Sequence, residues 1–378
     1  VFATMMTAIK QQITVCHISP LHNTRGGVTS AVMNYVEAND WPVAGCFIES
    51  HCDGTILQKF FHMVRAFGRA LVLCRSHQID VMHAHVGDFP SIYRKMLVTW
   101  PFFAFGRCQR ILHMHGAAFL SEYERQPAVG RWLVRRFLGK FDLVIALSEQ
   151  WRSDLQARFV VSQFMVLPNA VEVPAETPPR DVSAPRVFLF LGLIGARKGV
   201  FDLLQAVRDL AAKNLEAQDA AFTLRIGGNG DTDALHAVIE TYNLAGIVTC
   251  LGWIEGAARD AVMRTSHVLV LPSYAEGAPM AVIEAMSSGM PIIATRVGAI
   301  PELVEDGKSG LLIEPGDVAA LTTMMERLAR DDALWTQMSA RSHAIAQDRF
   351  SLASHKTSLL AAYRSLLKEG PKGARHGC

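Results

Sequence analysis

Residues Leu271–Asp317 read LPSYAEGAPMAVIEAMSSGMPIIATRVGAIPELVEDGKSGLLIEPGD. A short apolar run ends at Pro272, and a loop over Ser273–Ala278 follows, carrying Glu276 and Gly277. Pro279 suits the first position of a helix, where its missing N–H costs nothing. The helical pattern runs to about Ser288, with Gly289 as its stop and Pro291 beyond it. This strand–loop–helix reading puts Glu276 at the carboxyl edge of a sheet. Glu284 falls in the second helical turn among Ile283, Met286 and small residues, so its carboxylate needs a polar partner, which ribose or sugar hydroxyls would supply. The backbone N–H groups at the helix start are suited to phosphate oxygens.

The same alternation extends in both directions. Strands are predicted at Ile13–Ser19, Val43–Ile48, Val81–His85, Arg110–His115 and Leu143–Leu147. Six more follow at Val187–Leu193, Phe222–Ile226, Val248–Leu251, Val268–Pro272, Pro291–Ala294 and Gly310–Ile313. Their runs are continuously apolar rather than alternating, the pattern of parallel strands covered by helices on both faces. The expected class is therefore α/β, with two Rossmann-like doubly wound domains facing a central cleft. Residues 171–186 carry Pro174, Pro178, Pro179 and Pro185 without a hydrophobic period and read as a linker. It separates an N-terminal domain, 1–170, from a second domain, 187–349.

The chain has 378 residues, half of them hydrophobic and 19% charged, which excludes a disordered or coiled-coil protein. Net charge is only +2, giving no sign of a nucleic-acid partner. The sum conceals a net +6 over residues 1–170 and −4 over the remainder. Seven cysteines, an odd number without zinc or redox spacing, read as reduced thiols in a cytoplasmic protein. The richest apolar run, Met96–Phe105, is too short for a membrane span, and no signal peptide is expected. Met5 or Met6 could serve as the start.

Further motifs carry chemistry. Phe190–Gly199, FLGLIGARKG, is a strand running into a glycine turn with Arg197 and Lys198 at a helix start, a setting for a diphosphate. Arg225–Asp231, RIGGNGD, offers Gly227, Gly228 and Gly230 for close backbone approach, without dinucleotide-fingerprint spacing. Arg25-Gly26-Gly27-Val28 is a second strand-to-helix glycine turn. His83-Ala84-His85 and His113-Met114-His115 each place two imidazoles on one strand face. No acidic third ligand is spaced with either pair, so no metal site is expected. Two basic stretches, Lys59–Arg75 and Arg125–Lys140, interleave arginines with aromatics and fit either a membrane surface or Arg stems over core.

The setting Pro272-Ser273, Glu276-Gly277 and Glu284-Ala285-Met286, with the two glutamates seven residues apart, resembles the signature of retaining GT-B glycosyltransferases, most closely glycosyltransferase family 4. The resemblance covers Leu167–Ile345 closely and residues 13–166 more loosely. It implies a nucleotide-diphosphate hexose (UDP or GDP) as donor substrate, no cofactor and no catalytic metal. It assigns the diphosphate to Arg197 and Lys198, the sugar hydroxyls to Glu276, and the ribose to Glu284. Gly277, Ala278 and Pro279 would complete that loop, Gly228 would border the nucleotide, and main-chain groups of Trp253 and Ile254 would hold the base. From the first domain, Gly26 and Gly27 would approach the donor phosphates, Ser148 would line the cleft, and His115 would bond the sugar or acceptor. A terminal helix, 350–368, would cross back to the first domain.

The catalytic set expected is His115, Lys198 and Glu276, acting by a front-face route with retention. The acceptor implied is a glycan on polyprenyl diphosphate, in exopolysaccharide, capsule or O-antigen synthesis, reached by peripheral contact with the cytoplasmic face of the inner membrane. A nucleotide-sugar epimerase, a sugar phosphorylase and a non-catalytic nucleotide-sugar-binding protein are the alternatives.

Overall fold

The computed structural model describes residues 12–20, 29, 31–32, 41–52, 54–76, 78–87, 89–116, 118–181, 184–217 and 222–369. The glycine turn at Gly26 and Gly27 lies outside the described residues. The chain divides into two compact units: Val1–Ala170 with Leu352–Cys378, and Val171–Ser351.

The first unit contains a six-stranded parallel sheet built from β1 (Ile13–Ser19), β2 (Val43–Glu49), β3 (Val81–Val86), β4 (Gln109–Met114), β5 (Leu143–Ala146) and β6 (Gln163–Val166). Its order is β2-β1-β3-β4-β5-β6. The strand β6, QFMV, was not expected from its sequence: only four residues long and half-buried at the sheet edge, it lacks the continuous apolar run of its neighbours. Alternation along the strands sorts the core. Cys16, Ile18, Met82, Ala84, Leu112 and Val144 pack on one face. Val15, Val81, Ile111, Leu143 and Ile145 pack on the other, beneath Leu359, Tyr363 and Leu366 of the terminal helix Leu352–Glu369.

The second unit has β7 (Val187–Leu191), β8 (Thr223–Gly227), β9 (Val248–Gly252), β10 (Val268–Leu271), β11 (Ile292–Thr295) and β12 (Gly310–Ile313), all parallel. The order β12-β11-β10-β7-β8-β9 is that of the dinucleotide-binding fold. Strands β10 and β11 are buried at every position, as their unbroken apolar sequences require. From β7 the chain winds outward through β8 and β9, then returns to place β10 on the other side of β7. The carboxyl ends of β7 and β10 therefore flank the switch point, where ligands of such sheets bind.

Residues 171–181 and 184–186 are not a free tether. The Arg180 guanidinium donates to the carbonyls of Ser266 (2.5 Å), Ser288 (2.8 Å) and Met263 (3.0 Å). Arg186 is buried, pairs with Asp332 and stacks over Trp335 at 5.2 Å. The prolines remove hydrophobic period and backbone donors, but two arginines clamp the stretch to the second unit. Among the described residues, no helix is long and apolar enough to cross a membrane.

Candidate functional site

The switch point assembles the second-unit residues. After β7 the chain makes a 3-10 turn at Ala196–Lys198, and Gly199 leaves it at φ 67°. A Cβ on Gly199 would sit 2.0 Å from the Pro272 carbonyl oxygen, so only glycine lets the basic turn press against the end of β10. Tyr274 N–H then donates to the Arg197 carbonyl at 2.9 Å, and the Arg197 guanidinium donates to the Ala275 carbonyl at 3.2 Å. The basic turn and the glutamate loop thus hold each other.

At their junction the Lys198 ammonium lies 2.6 Å from Glu276 Oε1, with side chains 15% and 5% exposed. Ser273 Oγ donates to the same oxygen at 2.6 Å. The residue types were legible in sequence; that Lys198 and Glu276 form a buried ion pair, seated by Ser273, was not. Gly277 accepts from Ala299 N–H at 2.9 Å, and Ala278 is buried beside it. Pro279 is the N-cap of the helix Met280–Ser287 rather than its first turn, one residue from expectation.

Glu284 finds its partner in Arg259, on the helix Gly256–Arg264. Sequence reading had assigned the partner to a ligand, and nothing local marks Arg259: it sits 25 residues away on a polar helix. Desolvation lifts the Glu284 carboxyl to about 7 despite the lowering by Arg259. The folded state therefore holds a proton that the unfolded chain releases near the ordinary glutamate value. This contribution to stability is full below that value and disappears as pH rises through 7. Glu284→Gln keeps a neutral group there at every pH. Between pH 6 and 8 the variant's melting temperature should rise relative to the native chain by roughly 2–4 °C, the response of a domain this size to about 1 kcal/mol. A pH-independent difference would remove this titration from Glu284.

The remaining second-unit residues border the same edge. Gly228 has φ 156°, and its N–H donates to the Gly252 carbonyl at 2.8 Å. A Cβ there would meet the Gly192 carbonyl oxygen at 1.8 Å, so the glycine lets the β7 and β8 turns touch. Trp253 is 40% exposed and donates its indole N–H to Glu255 at 2.9 Å, so it is a surface side chain rather than core. Ile254, half-buried, packs beside Gly227.

In the first unit Ser148 is buried and caps the helix Glu149–Gln156, accepting from Trp151 N–H at 3.1 Å. That is a structural task that its position at the end of β5 did not announce. His115 follows β4, its N–H donating to the Val86 carbonyl at 2.7 Å and its Nε2 lying 3.2 Å from His85 Nδ1. The two His-x-His pairs, read singly in the sequence, belong to one buried group with His17. His17 stands opposite His83, and His85 opposite His113.

Comparison with known proteins bears on the family and the fold. The family described as "Glycosyl transferases group 1" matches residues 185–331, and "Glycosyl transferase 4-like domain" matches residues 39–170. The chain is 28% identical over 256 residues to the MMP alpha-(1->4)-mannosyltransferase of Mycolicibacterium hassiacum, covering 65% of this chain and 61% of the relative. It is 31% identical over 209 residues to the "Putative colanic acid biosynthesis glycosyltransferase WcaL" of Escherichia coli, covering 50% of this chain and 48% of the relative. The chain thus spans about half to three fifths of the length of these two relatives. Its fold is similar to that of HepE from Anabaena, solved in complex with UDP, with a TM-score of 0.72, 16% identity, and coverage of 93% of this chain and 100% of that one. Matched by these two descriptions over about three quarters of its length, and carrying two parallel α/β units, the chain belongs to the group 1, family 4 type of glycosyltransferases with the GT-B fold.

Proposed function

We propose that this chain transfers a hexose, with retention, from a UDP- or GDP-linked donor to a glycan acceptor carried on a polyprenyl diphosphate. The Lys198–Glu276 pair at the switch point carries the reading. Breaking the anomeric C–O bond leaves an oxocarbenium-like sugar and a diphosphate anion. Arg197 and Lys198 meet the anion, so charge neutralisation is assigned to side chains rather than to a divalent ion. Glu276 orients the sugar hydroxyls, Glu284 with Arg259 addresses the ribose, and His115 bonds a sugar or acceptor hydroxyl. The acceptor oxygen bonds the anomeric carbon on the face the diphosphate leaves, and its proton passes to a donor phosphate oxygen. The UDP complex of HepE supports a nucleotide-linked donor, and the name of WcaL supports a polysaccharide acceptor.

A thermal-shift panel of nucleotide sugars identifies the donor, and NMR of the transfer product gives its anomeric configuration. Stabilisation by one nucleotide sugar and a product with the donor's configuration are expected. An inverted product would overturn the retaining route, and free epimer formed without acceptor would replace transferase by epimerase.

The first unit is assigned to the acceptor and to the cytoplasmic face of the inner membrane. Its helix Ile56–Arg75 exposes Ile56, Leu57, Phe60 and Phe61 beside basic residues, and the helix Ala128–Leu138 exposes Trp132 and Leu133 beside Arg135 and Arg136. Each nearby arginine contributes roughly 1 kcal/mol of attraction to an anionic surface. The chain should float with anionic liposomes, and replacing Arg131, Arg135 and Arg136 by glutamine should abolish this. Undiminished flotation of the triple variant would rule out this helix as the contact.

A further inference from the structure

We propose that His85, His113 and His115 form a binding site for a divalent transition-metal ion of the zinc class. The site stands on the first unit alone, whatever that unit does in transfer. Strand alternation sends His17, His83, His85 and His113 to one face of the sheet, the face covered by the terminal helix, and His115 joins them just beyond β4. The ligand nitrogens of His85, His113 and His115 all lie within 4.8 Å of one another. His85 Nδ1 and His115 Nε2 are 3.2 Å apart. A tetrahedral zinc site with ordinary Zn–N bonds has nitrogen–nitrogen edges of about 3.3 Å.

His113 supplies the second observation. It is 1% exposed, and neither of its ring nitrogens has a hydrogen-bond partner. A buried imidazole in that state has given up both hydrogen bonds it made with water, and such orphans call for an ion or ordered water. A metal would take one of these nitrogens.

The surroundings are those of an imidazole site. His83 packs against His113 at 5.6 Å and is itself fixed by Tyr363, whose hydroxyl lies 2.8 Å from His83 Nδ1. His115, at the carboxyl end of β4, is the least buried of the three and gives the ion its way in. Three protein ligands leave a fourth position for water, as in open zinc sites. The sequence concealed this because the third ligand comes from another strand, not from an acid near either pair. The grouping His17, His83 and His85 shares His85, so one ion occupies one grouping or the other; His85, His113 and His115 are chosen because both His113 ring nitrogens lack a partner and His115 is the more accessible.

The test uses the full chain stripped with a chelator, then titrated with Zn2+ against a chromophoric competitor and, separately, with Co2+. One Zn2+ per chain is expected, with intense visible Co2+ bands and a melting temperature that rises with free Zn2+. His113→Gln breaks no hydrogen bond and should retain the fold while weakening Zn2+ binding at least about tenfold. His115→Gln, nearer the surface, serves as the second variant. The exposed His236, in the other unit, provides the control His236→Gln, which should bind as the native chain does. Absence of saturable binding overturns the site. So does equal binding by the His113→Gln and His115→Gln variants, which would mark the metal as an adventitious surface ion.

Discussion

Replacing Lys198 by alanine should lower transfer by about a hundred- to a thousandfold, the usual cost of removing one group aimed at developing transition-state charge. The structure makes this change complex. Lys198 is also the partner of Glu276, whose side chain is 5% exposed, and Ser273 alone would remain on that carboxylate among the contacts described. An unpaired buried carboxylate destabilises by up to roughly 3–5 kcal/mol, less where solvent reaches the site as it does beside Lys198. The single variant therefore loses both rate and stability. Adding Glu276→Gln removes the stranded charge, so the double variant should regain melting temperature without regaining transfer. Measured turnover with the identified donor, together with thermal melts, separates the two effects. Near-native rates in a folded Lys198→Ala chain would remove Lys198 from the site.

In metal-free buffer the first unit should lose stability steeply as pH falls below about 6.5. Burial lowers His17 and His115 to about 3 and His355 to about 4, and it also lowers His83, His85 and His113. In the unfolded chain these groups return to the ordinary histidine value near 6.5. Their folded values are depressed, so below pH 6.5 the unfolded state binds protons that the folded state refuses. The stability present above 6.5 is lost as pH falls towards 4 and 3. His17, His115 and His355 alone contribute roughly 4 kcal/mol per pH unit in that window. A domain has about 5–15 kcal/mol in total, so unfolding near pH 5 is expected. The groups facing the cluster do not reverse this: the neighbouring imidazoles and Lys95 disfavour a further positive charge, while the Asn169 side chain at His115 and the Pro168 carbonyl at His355 favour it, each by less than burial opposes it. Calorimetric scans from pH 7.5 to 4.5 read the effect directly. A first-unit transition unchanged across pH 6.5–4.5 would show that these histidines are protonated in the folded state.

The sequence by itself determined the architecture and the local strand ends, turns and helix starts that carry the proposed site residues. Eleven of the twelve described strands were legible within a residue or two, because continuous Val, Ile and Leu runs are what a two-sided parallel sheet demands. The exception, β6, lies at an edge where that demand lapses. Arg197, Lys198, Glu276 and Glu284 were legible because a strand end, a glycine turn and a helix start are local signals that fix where a side chain emerges.

Tertiary structure alone decided whom those side chains meet. Lys198 pairs with Glu276 across 78 residues, and Arg259 with Glu284 across 25. Arg180 turns a proline-rich stretch into a clamped segment through three carbonyls more than 80 residues away. Five histidines from three strand segments become one buried group because sheet register, not sequence spacing, sets them side by side. Local periodicity encodes burial and direction, which need only a few neighbouring residues. Charge pairing, the filling of buried hydrogen bonds and metal-ligand convergence depend on distances between remote segments, which exist only once both sheets have formed.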